Sequence, residues 1–155
     1  MSTVTLNQPL PEFTAQATNG ELHSSDLQGQ ATVLFFYPKN NTPGCTTESK
    51  DFRDQYAEFT AANCRVIGIS RDTMGSHQRV IKKLELPYPL IADPEEAICN
   101  LFGVMKEKNM FGKKVKGIER STFLIDGQGK LVQEWRKVKV PGHVEEVLTA
   151  AKALT

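Results

Sequence analysis

The chain has 155 residues, 39% of them apolar, enough for one domain with a full core. Lys and Arg number 19 against 18 Asp and Glu, a net charge of +1, so no global field attracts nucleic acid or an anionic membrane, and a small or neutral substrate fits better. No apolar run approaches the roughly 20 residues of a spanning helix, and the opening MSTVTLNQPLPEF lacks both a basic start and a signal-type apolar stretch, so the expected address is cytoplasmic.

After a lead punctuated by Pro9 and Pro11, FTAQATNGELHSSDL reads as a short hairpin turning at Asn19-Gly20. ATVLFFYP follows, a compact β-rich run closed by Pro38, which suits a strand buried on both faces. From Cys45 onward, Phe52, Tyr56 and Phe59 recur with helical spacing, the stripe of one helix packed on a sheet. CRVIGIS is a second buried strand, and SHQRVIKKLEL a second helix with Val80, Ile81 and Leu84 on one side. YPLIAD reads as a third strand, and PEEAICNLFGV as a short helix with Asp93 as its cap and Pro94 at its first position. KEKNMFGKKVKG carries five lysines between 106 and 116 and reads most simply as a solvated loop, the minor alternative being a loop that flanks a site and attracts an anionic reductant. STFLID and KLVQEWRKV are two strands joined by a turn at Asp126-Gly127-Gln128-Gly129, and HVEEVLTAAKAL closes the chain as a helix. With no repeat and no linker, residues 1–155 form a single α/β domain: a mixed central β-sheet flanked by helices, with an N-terminal hairpin extension, the layout of a thioredoxin-like fold.

Three cysteines, Cys45, Cys64 and Cys99, occur without any C-x-x-C, so neither a disulfide framework nor a zinc knuckle is indicated. His23, His77 and His143 are scattered and suggest no metal, and the glycosylation-type triplet NNT at 40–42 has no export signal to make it meaningful. Cys64 and Cys99 sit in apolar runs and read as small buried hydrophobes. Cys45 differs, because it follows Thr-Pro-Gly and opens a helix in the loop after the first buried strand, where α/β proteins keep their chemistry. A free thiol near pKa ~8.5 is little ionised at neutral pH, and a helix N-terminus favours the anion. Pro43 stiffens the approach, and Gly44 leaves the first-turn amides accessible.

Pro38, Thr42 and Cys45 reproduce the P-x-x-x-T-x-x-C signature of the peroxiredoxins, and Thr46-Thr47-Glu48 with GIERSTFLID resembles the bacterioferritin-comigratory, or Q-type, subfamily. The resemblance covers nearly the whole chain. It implies a peroxidase that reduces hydrogen peroxide and organic hydroperoxides with no metal, haem or flavin. Cys45 would be the peroxidatic cysteine, oxidised to a sulfenic acid, and Thr42 would hold the peroxide on the line of attack. Pro38 would shield the site from water. Arg120 would stabilise the thiolate and the leaving oxygen, and Glu48 would aim Arg120.

The chain departs from many relatives where a second, resolving cysteine is expected. Five residues after Cys45 stands Lys50, and the following helix offers Val80 and Ile81. The expectation is therefore a one-cysteine mechanism in which an external thiol, thioredoxin or glutathione with glutaredoxin, reduces the sulfenic acid of a monomer. Resolution by Cys99 or Cys64 after local unfolding is the alternative. A thioredoxin-type disulfide reductase is disfavoured by the missing C-x-x-C. A non-catalytic holdase on the same fold needs no activated sulfur at Cys45.

Overall fold

The computed structural model describes residues 4–154. Residues 1–3 and 155, the ends of the domain read from sequence, lie outside them. The chain runs β1 (Thr14–Ala17), β2 (Gly20–His23), a short 3-10 turn (Ser24–Leu27), β3 (Ala31–Phe36), α1 (Pro43–Asp54), α2 (Tyr56–Ala61), β4 (Cys64–Ser70), α3 (Met74–Leu84) and β5 (Leu90–Ala92). There follow α4 (Ala97–Leu101), β6 (Met105–Met110), β7 (Lys113–Ile118), β8 (Ser121–Ile125), β9 (Leu131–Arg136) and α5 (His143–Lys152).

Seven strands form one sheet in the order β2-β1-β5-β4-β3-β8-β9. The centre, β5-β4-β3, is parallel, and the other pairings are antiparallel, giving the mixed sheet expected from the strand and helix order. All six residues of β3 are buried, as its unbroken apolar run requires. Alternation along β3 divides the core: Val33, Phe35 and Tyr37 pack with α1, α2 and α5 on one face, while Leu34 and Phe36 pack with α4 on the other. Phe35 stacks on Phe52 of α1 at 4.4 Å between ring centroids, which seats that helix on the sheet.

Four local expectations shift. The N-terminal turn uses Thr18 and Asn19, with Gly20 pairing to Ala17 at φ +125°, a value that favours glycine. The helix read from Cys45 begins two residues earlier, at Pro43, and breaks at Gln55 (φ −100°, ψ 4°) into α1 and α2. The helix after β5 begins at Ala97 because Glu96 takes a left-handed φ of 66°. Asp93 still serves it, accepting from the amides of Ile98 (3.2 Å) and Cys99 (2.7 Å) across the Pro94–Glu96 turn.

The lysine-rich stretch is a two-stranded antiparallel hairpin, β6-β7, where the sequence reading expected a loop. Lysines occupy both of its faces, so the apolar alternation that marks a strand is missing. Phe111 stands fully exposed at its tip. Among the described residues, no helix is long and apolar enough to cross a membrane.

Candidate active site

The loop leaving β3 turns directly into α1, which puts Cys45 at the third helical position, at the carboxyl end of the parallel strands. Pro43 at the first position has no N–H, and its fixed φ suits a helix start. Thr42, the residue before it, places no side-chain bond on the first turn, so the amides of Gly44 and Cys45 have no partner within the helix. These amides and the helix dipole aim positive charge at the sulfur.

Arg120 completes the surroundings from the junction between β7 and β8. Its Nη2 donates to Cys45 Sγ at 3.2 Å, and its Nη1 donates to Glu48 Oε1 at 2.7 Å. Glu48 lies one helical turn beyond Cys45, so the two side chains stand on the same face of α1 and share one guanidinium. The planar fork of arginine suits this double contact, which the single ammonium of lysine cannot reproduce. A Cβ on Gly44 would stand 3.3 Å from Arg120 Nη2, so glycine here leaves room for the guanidinium over the first turn. Cys45 is 2% exposed and Glu48 fully buried.

The other two sequence-derived residues stand on the same loop. Thr42 is half-buried, and its hydroxyl donates to Lys39 O at 3.0 Å, leaving its oxygen lone pairs available to accept. Pro38, also half-buried, ends the extended run that contains β3. The geometry thus joins Cys45, Arg120 and Glu48 by direct contacts, while Thr42 and Pro38 are placed by the loop that leads to them.

A model of the AhpC/TSA family matches residues 6–134. The chain is 47% identical to a putative peroxiredoxin Bcp of Coxiella burnetii, covering 94% of this chain and 97% of that protein. The chain belongs to the AhpC/TSA family. A cysteine variant of Xylella fastidiosa peroxiredoxin Q superposes on this peroxiredoxin with a TM-score of 0.92, at 40% identity over 99% of this chain and 98% of that one. The bacterioferritin comigratory protein of Xanthomonas campestris, described for its alkyl peroxide reduction activity, aligns at 46% identity with a TM-score of 0.87, over 91% of this chain and 90% of that one. The fold is thioredoxin-like and the enzyme is a thiol-dependent peroxidase, as the sequence motifs implied.

Within this peroxiredoxin, burial pushes the Glu48 carboxyl up to about 7, against the pull of the Arg120 charge. Its second oxygen, Oε2, is buried without a hydrogen-bond partner, which adds to the cost of ionising it. Between about 4.5 and 7 the folded form therefore holds a proton at Glu48 that the unfolded chain has released. The stability this group contributes is fully present below about 4.5 and is lost as pH rises towards about 7. The unfolding free energy of the wild type, measured against Glu48→Gln, should fall across that window. A difference that stays flat with pH would contradict the assignment.

The remaining thiols are remote from this centre. Cys64 begins β4 opposite Ala31, at the far end of β3 from the loop that carries Cys45. Five strand steps of about 3.3 Å put it roughly 17 Å from that end. Cys99 packs with the cluster on the opposite face of the sheet from Cys45. Burial pushes Cys64 up to about 12, and burial with the Asp93 carboxylate pushes Cys99 well above the ordinary thiol range.

Several supporting groups carried no signal in the sequence. Tyr88 donates from its hydroxyl to Ser49 O at 2.7 Å, holding α1 from beneath. His143, 2.8 Å from the Thr122 hydroxyl, is pushed down to about 4 chiefly by burial, with the charge of Arg120 adding to the effect. Asn40, in the loop itself, is buried in a polar network. Apolar periodicity finds core positions but not polar groups matched to one another in space, so these contacts became visible only with the fold.

Proposed function

We propose that Cys45 is the peroxidatic cysteine of a one-cysteine peroxidase that reduces hydrogen peroxide and small organic hydroperoxides. The observation that carries this reading is the guanidinium of Arg120, 3.2 Å from Cys45 Sγ and paired at 2.7 Å with Glu48. The thiolate attacks the terminal peroxide oxygen, a sulfur–oxygen bond forms as the O–O bond breaks, and the sulfur is oxidised to sulfenic acid. The departing oxygen carries the electron pair away as alkoxide or hydroxide and is protonated to alcohol or water. Arg120 faces the negative charge in both the reactant and the transition state, and as a fixed donor it has no solvent to reorganise.

Thr42 accepts from the peroxide O–H and holds the oxygen pair on the line of attack, while Pro38 keeps bulk water off the sulfur. Glu48 holds the arginine in place. An external thiol then attacks the sulfenic sulfur, releasing water and leaving a mixed disulfide that a second thiol cleaves. Thioredoxin, or glutathione with glutaredoxin, supplies those thiols to a single-domain monomer in the cytoplasm, where free cysteines persist. The alkyl peroxide reduction described for the Xanthomonas relative supports the substrate class.

The distance of Cys64 and the opposite-face position of Cys99 support the one-cysteine assignment, since a disulfide needs Cα atoms within about 7 Å. The test treats reduced protein with one equivalent of peroxide and records intact mass with and without a sulfenic acid trap. The trapped adduct should map to Cys45. A monomer that instead loses two hydrogens and resists the trap has formed an internal disulfide, and the one-cysteine mechanism would be wrong.

A further inference from the structure

The segment between β3 and Cys45 is held down at one point. Of residues 38–44 only Asn40 is buried, at 5% exposed. The next residue, Asn41, adopts a left-handed φ of 64° that turns the chain back towards α1.

The Asn40 amide is matched at every polar atom. Its Oδ1 accepts from the Tyr37 hydroxyl at 2.8 Å. Its Nδ2 donates to Ser76 Oγ and to His77 Nδ1, each at 3.0 Å, and its backbone N–H donates to Asp72 Oδ2 at 2.9 Å. The ring assignment follows from chemistry. His77 Nε2 lies 2.9 Å from Ile91 O, which can only accept, so the ring proton is on Nε2 and Nδ1 is free to accept from Asn40. Burial pushes the ring below its ordinary range, which favours this neutral form. Asp72 is fixed in turn by the Ser70 hydroxyl at 2.6 Å. The side chain therefore ties the loop to Tyr37, to the first turn of α3 and, through His77, to β5, while the backbone N–H adds a tie to Asp72 just beyond β4.

Thr42 and the free first-turn amides travel with this loop, whereas Arg120 is supplied from just before β8, the strand that flanks β3 on the edge opposite β4. The alignment of the two halves around Cys45 Sγ depends on where the loop is anchored. We propose that Asn40 is a positioning residue for the peroxide step, its clamp to Tyr37, Asp72, Ser76 and His77 holding Thr42 and the α1 amides in register with Arg120. The inference rests on the peroxidatic role proposed for Cys45. It concerns oxidation of the sulfur alone, because an external thiol approaching a sulfenic acid makes no use of the peroxide-aligning groups.

Displacement of reacting groups by about 1 Å costs roughly 100-fold in rate. In single-turnover measurements, Asn40→Ala should slow oxidation of Cys45 by hydrogen peroxide at least tenfold (roughly, by that relation). Reduction of the preformed sulfenic acid by dithiothreitol should proceed as fast as in the wild type or faster. Tyr37→Phe, which removes one hydroxyl and adds no volume, should show a smaller loss in the same step, and it decides the matter if Asn40→Ala does not fold. Oxidation unaffected by either variant, or oxidation and reduction slowed by the same factor, would overturn the proposal. Failure of the wild type to form a sulfenic acid at Cys45 would instead overturn the function on which it rests.

Discussion

Replacing Cys45 with serine should abolish peroxide turnover, while Cys64→Ser and Cys99→Ser retain most of it. The prediction separates three buried thiols by their surroundings. Cys45 has a helix N-terminus and a guanidinium directed at its sulfur, which is the setting that makes a cysteine nucleophilic. Cys64 has apolar neighbours and one weak contact, its Sγ donating to Arg65 O at 3.6 Å. Cys99 lies beneath the Asp93 carboxylate, whose charge opposes a second anion. Burial favours the protonated form of both thiols, which is the weaker nucleophile. A serine hydroxyl at position 45 is far more basic than a thiol and stays protonated beside the same arginine. The measurement is steady-state peroxide consumption with a thiol reductant, with circular dichroism to establish that each variant folds. A folded Cys99→Ser enzyme as inactive as Cys45→Ser would refute the one-cysteine mechanism.

Arg120→Ala should slow oxidation of Cys45 by on the order of 100- to 1,000-fold, the usual loss when one preorganised donor to a developing oxyanion is removed. Two effects act together. The sulfur and the departing oxygen lose their cation, and the buried Glu48 loses the hydrogen-bond partner whose charge favours its ionised form. Arg120→Lys should recover part of the rate, since an ammonium can face either the sulfur or the carboxylate but not both with the geometry of the fork. The check is the second-order rate of oxidation by hydrogen peroxide under single-turnover conditions. A rate within twofold of wild type in Arg120→Ala would remove the residue from the chemistry.

Much of the architecture was readable from the order of residues because local and global signals agree. The β3 run is apolar at every position and is buried at every position. Thr-Pro-Gly before Cys45 marks a helix start by backbone chemistry alone, and the helix does start there. Arg120 is a different matter. It stands 75 positions from Cys45, and no periodicity or spacing links the two. Its candidacy came from the family resemblance, and the fold supplies the contact. Asn40 illustrates the opposite loss: in sequence it is an ordinary turn asparagine, and its importance lies in groups 32 to 37 positions away. The β6-β7 hairpin escaped for a third reason. Its pairing is held by backbone bonds while its side chains stay mostly in water, so polarity gave no hint of a strand.

The central sheet also works as a partition. It keeps Cys99 behind a wall of packed side chains, on the far side from Cys45. On the one-cysteine reading, the molecule then has no internal electron store: each turnover leaves it spent until another molecule recharges it. Its capacity to detoxify is set by the supply of thiols around it as much as by its own speed with peroxide.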